Sequence, residues 1–125
     1  MSSHSSKIAA EHKFAKALVE RLPDKVRVGP YDFWIEKWPA TTASDNQRYG
    51  EMSSIEQTIR IQLDMPTRYK ALDTFFHEVS HAIFWVYGLG DDDKEEETVS
   101  VFGTGMAALY RDNPWILDWV KSARL

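Results

Sequence analysis

The stretch T-F-F-H-E-V-S-H-A-I-F-W-V, residues 74–86, decides the fold of this chain. It is apolar around most of a helical circumference, and such a helix is buried at the centre of a domain. It contains three ionisable residues: His77, Glu78 and His81. Residues four apart stack on one face of a helix, so both imidazoles can reach one ion with the carboxylate beside them. The H-E-x-x-H string is typical of two zinc ligands and the general base of a metalloprotease.

The ends of this helix are indicated by turn-forming residues. Pro66 fits the first turn of a helix, where its missing N–H has no partner, so Asp64 or Met65 is the predicted N-cap. The helix is predicted to run to about Tyr87, where glycine at position 88 or 90 ends it.

The third zinc ligand has to be a histidine, an aspartate or a glutamate, because the chain contains no cysteine. A catalytic zinc ion takes three protein ligands and keeps one position for water. His4 lies in the polar beginning of the chain and His12 on a separate predicted helix, so both are poorly placed. The acidic run 91–97, which contains six acids and one base, is the natural source of the ligand.

The pattern of the helix that follows this run indicates which of its glutamates are the better candidates for the third ligand. Its apolar stripe is set by Val99, Phe102 and Met106, and Glu95 and Glu96 fall on the same stripe one turn earlier. We prefer Glu96 and keep Glu95 as the alternative. The remaining acids of the run are interpreted as a solvated loop whose last carboxylates favour a helix start.

The rest of the chain predicts an α+β fold in a single domain over residues 7–125, preceded by a disordered tail over residues 1–6. An N-terminal helix and a small antiparallel sheet of three to four strands precede the buried zinc-binding helix, and a glutamate-bearing helix follows it. The predicted elements are a helix over 5–22, extended chain over 25–38, a loop over 39–47, strands at 49–52 and 57–63, and a short helix over 115–122.

Composition excludes several classes of protein. Disulfides and thiolate chemistry are excluded by the absence of cysteine. No apolar run reaches the roughly 18 residues of a membrane span, and no block of basic residues supports nucleic-acid binding. We therefore expect a cytoplasmic protein with neither a membrane nor a nucleic acid as partner.

Two segments resemble a known family. His77-Glu78-Val79-Ser80-His81, followed by a glutamate on the next helix, resembles the gluzincin arrangement of zinc peptidases. Residues 96–104, E-E-T-V-S-V-F-G-T, resemble the thermolysin-type stretch in which the ligand glutamate precedes a Phe-Gly pair by six residues, and this register also selects Glu96. The chain departs from that pattern at Ser100, where thermolysin-type sequences carry an aspartate that supports a zinc-bound histidine.

Overall the chain is most similar to the small zinc peptidases of phages and prophages, near the ImmA/IrrE type. The resemblance covers about residues 49–114 and includes Asp112-Asn113-Pro114. It implies a zinc-dependent metallopeptidase, an endopeptidase acting on a peptide or protein substrate in the bacterial host's cytoplasm. Zn²⁺ would be held by His77, His81 and Glu96, with Glu78 as the general base.

Other residues are candidates for supporting the zinc ligands or the substrate. Asp73, one turn before His77, is a candidate for orienting that imidazole, and Ser100 is a second candidate for supporting a ligand. The oxyanion stabiliser is not readable from sequence, and its candidates are Tyr49, Tyr87, Tyr110 and Arg111. The strand predicted at 57–63 is a candidate edge for binding an extended peptide.

Two other functions compete with the peptidase. The domain is alternatively a catalytically silent zinc-binding module, a phage regulator or a protein-interaction domain. Retention of Glu78 disfavours this reading, because structural zinc needs no base and prefers four protein ligands. A metal-free structural protein with an accidental motif is the third reading.

Overall fold

A computed structural model describes residues 3–39, 49–88 and 95–125, without the side chains of Glu95, Glu96 and Val99. The predicted loop over 39–47 lies almost wholly outside these residues. Four helices and a four-stranded sheet make up the described part, which confirms the α+β class. In chain order the elements are α1 His4–Glu20, β1 Lys25–Val28, β2 Tyr31–Trp38, β3 Gly50–Ser53, β4 Thr58–Gln62, α2 Arg68–Val86, α3 Glu95–Asp112 and α4 Trp115–Ser122.

The sheet has the strand order β1-β2-β4-β3 and is mixed. β1 and β2 form an antiparallel hairpin through a turn at Gly29, whose φ of 55° favours glycine. β3 and β4 are also antiparallel, but β2 and β4 run parallel. The prediction of a purely antiparallel sheet was therefore wrong in this central pair. Residues 39–57 separate the two strands, which is long enough for the crossover that parallel pairing requires.

The strand predicted at 57–63 is not an edge strand. β4 lies between β2 and β3, and Thr58 and Gln62 on its outward side are buried. It therefore has no free edge for a peptide, contrary to the sequence-based hypothesis. Among the described strands, β1 and β3 form the two edges, and both contact α2, β3 more extensively than β1.

α2 crosses the inner face of the sheet as the buried central helix that the sequence predicts. One face of it, including Phe75, Val79 and Ile83, is at most 1% exposed and packs in the core with Ile59 and Ile61 of β4. Its N-cap is Thr67, two or three residues later than the predicted Met65 or Asp64. The Thr67 side chain accepts a hydrogen bond from the Lys70 backbone N–H at 3.0 Å, which satisfies one of the free donors of the first turn.

The N-terminal helix begins at His4, one residue before its predicted start at residue 5. The Ser3 hydroxyl oxygen accepts a hydrogen bond from the Ser6 backbone N–H at 3.1 Å and so caps a helix that starts at His4. Residues 4–6 are therefore helical, and the predicted disordered tail over residues 1–6 was wrong for them. No helix in the described ranges has the length and apolar character needed to cross a membrane.

Candidate metal centre

The histidines of the motif and its glutamate face different surroundings on α2. The side chains of His77 and His81 are exposed, whereas Glu78 is only 7% exposed. The helix presents its imidazoles to solvent because the opposite face is held in the core by Phe75, Val79 and Ala82. The sequence predicts all three side chains within a buried helix, whereas the structure exposes the two imidazoles and buries Glu78.

The two imidazoles converge on one point. Nε2 of His77 and Nε2 of His81 lie 3.2 Å apart, and the ring centroids are 4.8 Å apart at an interplanar angle of 81°. Two nitrogens that share a tetrahedral zinc ion at 2.0–2.1 Å are about 3.3–3.4 Å from each other. The distance between the two nitrogens is therefore close to the one that joint coordination of one ion would require.

This separation also permits a direct hydrogen bond between the rings when no metal is bound. One neutral imidazole then donates its Nε2–H to the unprotonated Nε2 of the other. The two ring nitrogens are therefore close enough for either arrangement.

Gly50, at the beginning of β3, brings the sheet edge into contact with the motif. A Cβ at this position would lie 2.8 Å from Cγ2 of Thr74, 3.0 Å from the Arg60 carbonyl oxygen and 3.2 Å from Cγ of Glu78. Only glycine permits this approach without displacing the strand or the helix. The close contact covers Glu78 and holds β3 beside the histidines.

A pocket of about 250 Å³ opens next to His77 and Glu78. Tyr49 and Gly50 line it from the sheet side, and Lys70, Asp73 and Thr74 line it from the preceding turns of α2. The Lys70 ammonium lies 5.2 Å from the centroid of the Tyr49 ring. Hence the space beside His77 is bounded by a tyrosine and a lysine side chain as well as by the motif itself.

Of the four candidates for an oxyanion stabiliser, Tyr49 is the one that lines this pocket. Tyr87 packs near Gly29 and Gly105, at the opposite end of α2. Arg111 donates hydrogen bonds to the Asp112 carboxylate at 2.9 and 3.2 Å, which lower the pKa of that carboxyl group. Its guanidinium is therefore engaged at the end of α3.

The two residues proposed to support a ligand are placed differently from expectation. The Asp73 carboxylate lies 3.7 Å from the Lys70 ammonium, and its side chain is 60% exposed. Its described partner is thus a lysine in the same pocket and not an imidazole. Ser100 lies on an exposed part of α3.

For the proposed third ligand, Glu96, the structure describes the backbone but not the side chain. Glu96 lies in the first turn of α3, as predicted, but its side chain is outside the described part. α3 packs against the turn of α2 that follows the motif: the rings of Phe84 and Phe102 are 5.8 Å apart. Among the side chains that are described, no three His, Asp or Glu form a metal-binding cluster. The ligand role of Glu96, and the choice between it and Glu95, remain predictions.

Sequence reasoning missed the contribution of β3 to the site. An isolated glycine within a predicted strand indicates a close backbone approach, so Gly50 carried a usable signal. Tyr49 was named among several tyrosines, but no pattern in the sequence ranks it first. The position of Tyr49 beside the motif follows from its neighbour Gly50, because this glycine brings that part of the chain against α2.

Comparison with protein-family models, curated proteins and solved structures finds no match to this chain. The resemblance to small zinc peptidases therefore rests on the residues of the motif and of the stretch 96–104. The function is inferred from those residues and from the geometry around His77, Glu78 and His81.

Proposed function

We propose that this protein is a zinc-dependent peptidase, in which His77, His81 and Glu96 hold the metal ion and Glu78 is the general base. The convergence of the two Nε2 atoms at 3.2 Å carries the proposal, because it matches the spacing that a shared tetrahedral ion requires. Both imidazoles are exposed, so a metal ion and a substrate can approach from solvent.

When bound, zinc would lower the pKa of a water molecule to about 7 and polarise the carbonyl of the peptide bond. Glu78 accepts the proton of the attacking water and transfers it to the nitrogen of the leaving amine. Its position beneath Gly50 keeps the carboxylate largely out of bulk solvent while it stays on the helical turn between the two imidazoles.

The pocket beside the motif suggests how a substrate is held. Tyr49 is suited to donate its hydroxyl proton in a hydrogen bond to the carbonyl oxygen on which negative charge develops. β3 is the sheet edge nearest the histidines, so an extended peptide can pair with its backbone by strand addition. The substrate class supported by these features is an extended peptide segment.

Zinc content and hydrolysis measured on the same variants test this proposal. The purified protein should bind one Zn²⁺, and Glu78→Gln should retain it while hydrolysis of a denatured-protein substrate falls by about 10²-fold or more. His77→Ala should lose both properties. Glu20→Gln, a matched change at an exposed position of α1, should change neither.

The possible results separate the candidate functions. Bound zinc without cleavage of any peptide library would favour the silent binding module and contradict the peptidase. Failure to bind zinc at all would contradict both. If Glu78→Gln retains full activity, the assignment of the base is wrong.

A further inference from the structure

A second pocket, of about 540 Å³, lies between α1, the beginning of α2 and the end of α4. None of its lining residues belongs to the candidate metal centre. Its charged lining residues are Arg21, Arg68 and Arg124, which come from three separate segments of the chain and all carry positive charge. Phe14 and Ala17 of α1 supply an apolar wall.

Arg68 forms the fixed side of this pocket. Its Nε donates to the Glu11 carboxylate at 2.7 Å and its Nη2 at 3.2 Å, in a paired geometry. Its Nη1 donates to the Ala123 carbonyl oxygen at 3.0 Å. Arg68 therefore joins α1, α2 and the end of α4, and Glu11 compensates its charge.

The other two arginines keep most of their donors for a ligand. Arg21 donates one hydrogen bond, from Nη2 to the Ser122 carbonyl oxygen at 3.4 Å. A guanidinium group has five N–H donors, so this weak contact leaves four of them. In the described ranges, the Arg124 side chain has no hydrogen bond or ion pair. Among the described residues, no carboxylate lies within ion-pair distance of either side chain, so the pocket has two positive charges without a described counter-charge.

Arg124 also occupies a position that does not favour arginine. Its φ of 53° lies in the left-handed region, just beyond the C-cap of α4 at Ala123. Glycine is the usual residue at this place, since a side chain there is sterically disfavoured. An unfavourable conformation kept by a charged residue that lines a pocket points to a use for its side chain.

Phe14 gives the pocket an apolar surface beside its arginines. The Phe14 side chain is exposed to 51%, and the Arg68 guanidinium lies 5.4 Å from the centroid of its ring. Half-exposed aromatic surface next to unpaired guanidinium groups fits a molecule with an apolar body and an anionic end. We propose that this pocket binds a small organic anion, whose oxyanion is held by Arg21 and Arg124 and whose apolar part packs on Phe14.

Calorimetric titration of the full chain with four probes tests this inference: phenyl phosphate, phenylacetate, inorganic phosphate and benzyl alcohol. The two aromatic anions should bind more tightly than the neutral alcohol and than inorganic phosphate. Comparing phenyl phosphate with phenylacetate shows whether the oxyanion is a phosphate or a carboxylate. Arg124→Gly and Arg21→Gln should each weaken binding of the preferred anion by about tenfold.

Arg124→Gly separates binding from structure. Because glycine suits the left-handed conformation, this variant should unfold at an equal or higher temperature than the parent while losing affinity. Arg111→Gln removes the same charge from an exposed site on α3 and should leave binding unchanged. The inference is overturned if benzyl alcohol binds as tightly as both aromatic anions, or if Arg111→Gln weakens binding as much as Arg124→Gly. Zinc content plays no part in these measurements, so they are independent of the proposed peptidase activity.

Discussion

The side chain of Asn113 hydrogen-bonds both backbone polar groups of Arg27. Its Oδ1 accepts from the Arg27 N–H at 3.0 Å, and its Nδ2 donates to the Arg27 carbonyl oxygen at 2.8 Å. Arg27 lies in β1, at the edge of the sheet, so the amide takes the place of a neighbouring strand. Asn113 directly follows α3, and this contact therefore anchors the helix that carries Glu96 to the sheet.

Asn113→Ala should lower the free energy of unfolding by about 2–3 kcal/mol. The side chain is only 4% exposed, and its loss leaves two backbone groups of β1 without their partner. Urea denaturation measures the change. Asn113→Asp keeps the acceptor and loses the donor, so its destabilisation should also exceed that of a surface substitution. A change below about 0.5 kcal/mol in both variants would contradict this account.

Gly105 sets the distance between α3 and α2. A Cβ there would lie 2.5 Å from Cγ2 of Ile83, so Gly105→Ala should push the helices apart and destabilise the fold by about 1–3 kcal/mol. On the proposed ligand set, zinc affinity should fall with it, because α3 carries Glu96. Zinc titration and thermal unfolding together detect both effects.

Gly103 is the matched control on the same helix. A Cβ at this position meets nothing within 4 Å, so Gly103→Ala should stabilise α3 by about 0.5–1 kcal/mol and leave zinc affinity unchanged. Equal effects of the two substitutions would show that the Gly105–Ile83 contact does not position the helix.

Gly50→Ala should reduce hydrolysis more than it reduces zinc binding. The added methyl group meets Thr74 and Glu78 and forces β3 away from α2, while the two imidazoles keep their helix. We expect kcat to fall by about tenfold or more with the bound zinc unchanged. The double variant Gly50→Ala/Thr74→Ser removes the nearest clashing methyl and should recover part of the activity. Full activity of Gly50→Ala would disprove the role of this contact.

On the proposed ligand set, zinc should raise the thermal stability of the protein, since a metal ion held by residues of α2 and α3 would bind the folded chain only. At a free concentration 1,000 times Kd, the expected stabilisation is about 4 kcal/mol, or a rise in Tm of about 10 °C or more. A chelator should reverse it. His81→Ala should abolish the rise and His12→Ala, an exposed histidine of α1, should retain it. An unchanged Tm with zinc in the parent protein would count against the metal centre.

Much of the secondary structure could be predicted because it depends on local spacing. The helix over residues 115–122 was predicted with the bounds that the structure gives, and α2 and α3 were placed within a few residues of theirs. Apolar residues at helical spacing and the interruption at Asn113-Pro114 sufficed for this. The start of α1 was predicted at residue 5, one residue late, because its first turn is polar and held by a serine cap and so carries no apolar period.

What the sequence determined by itself is the helix with His77, Glu78 and His81 on adjoining turns, since residue spacing along one helix decides which side chains are neighbours. Only the tertiary structure decided that β2 and β4 pair in parallel, that Gly50 brings β3 against Glu78, and that Asn113 meets Arg27. Each of these contacts joins residues far apart in the chain. Their formation depends on how the core packs and on the path of the connecting segments, which no local period encodes.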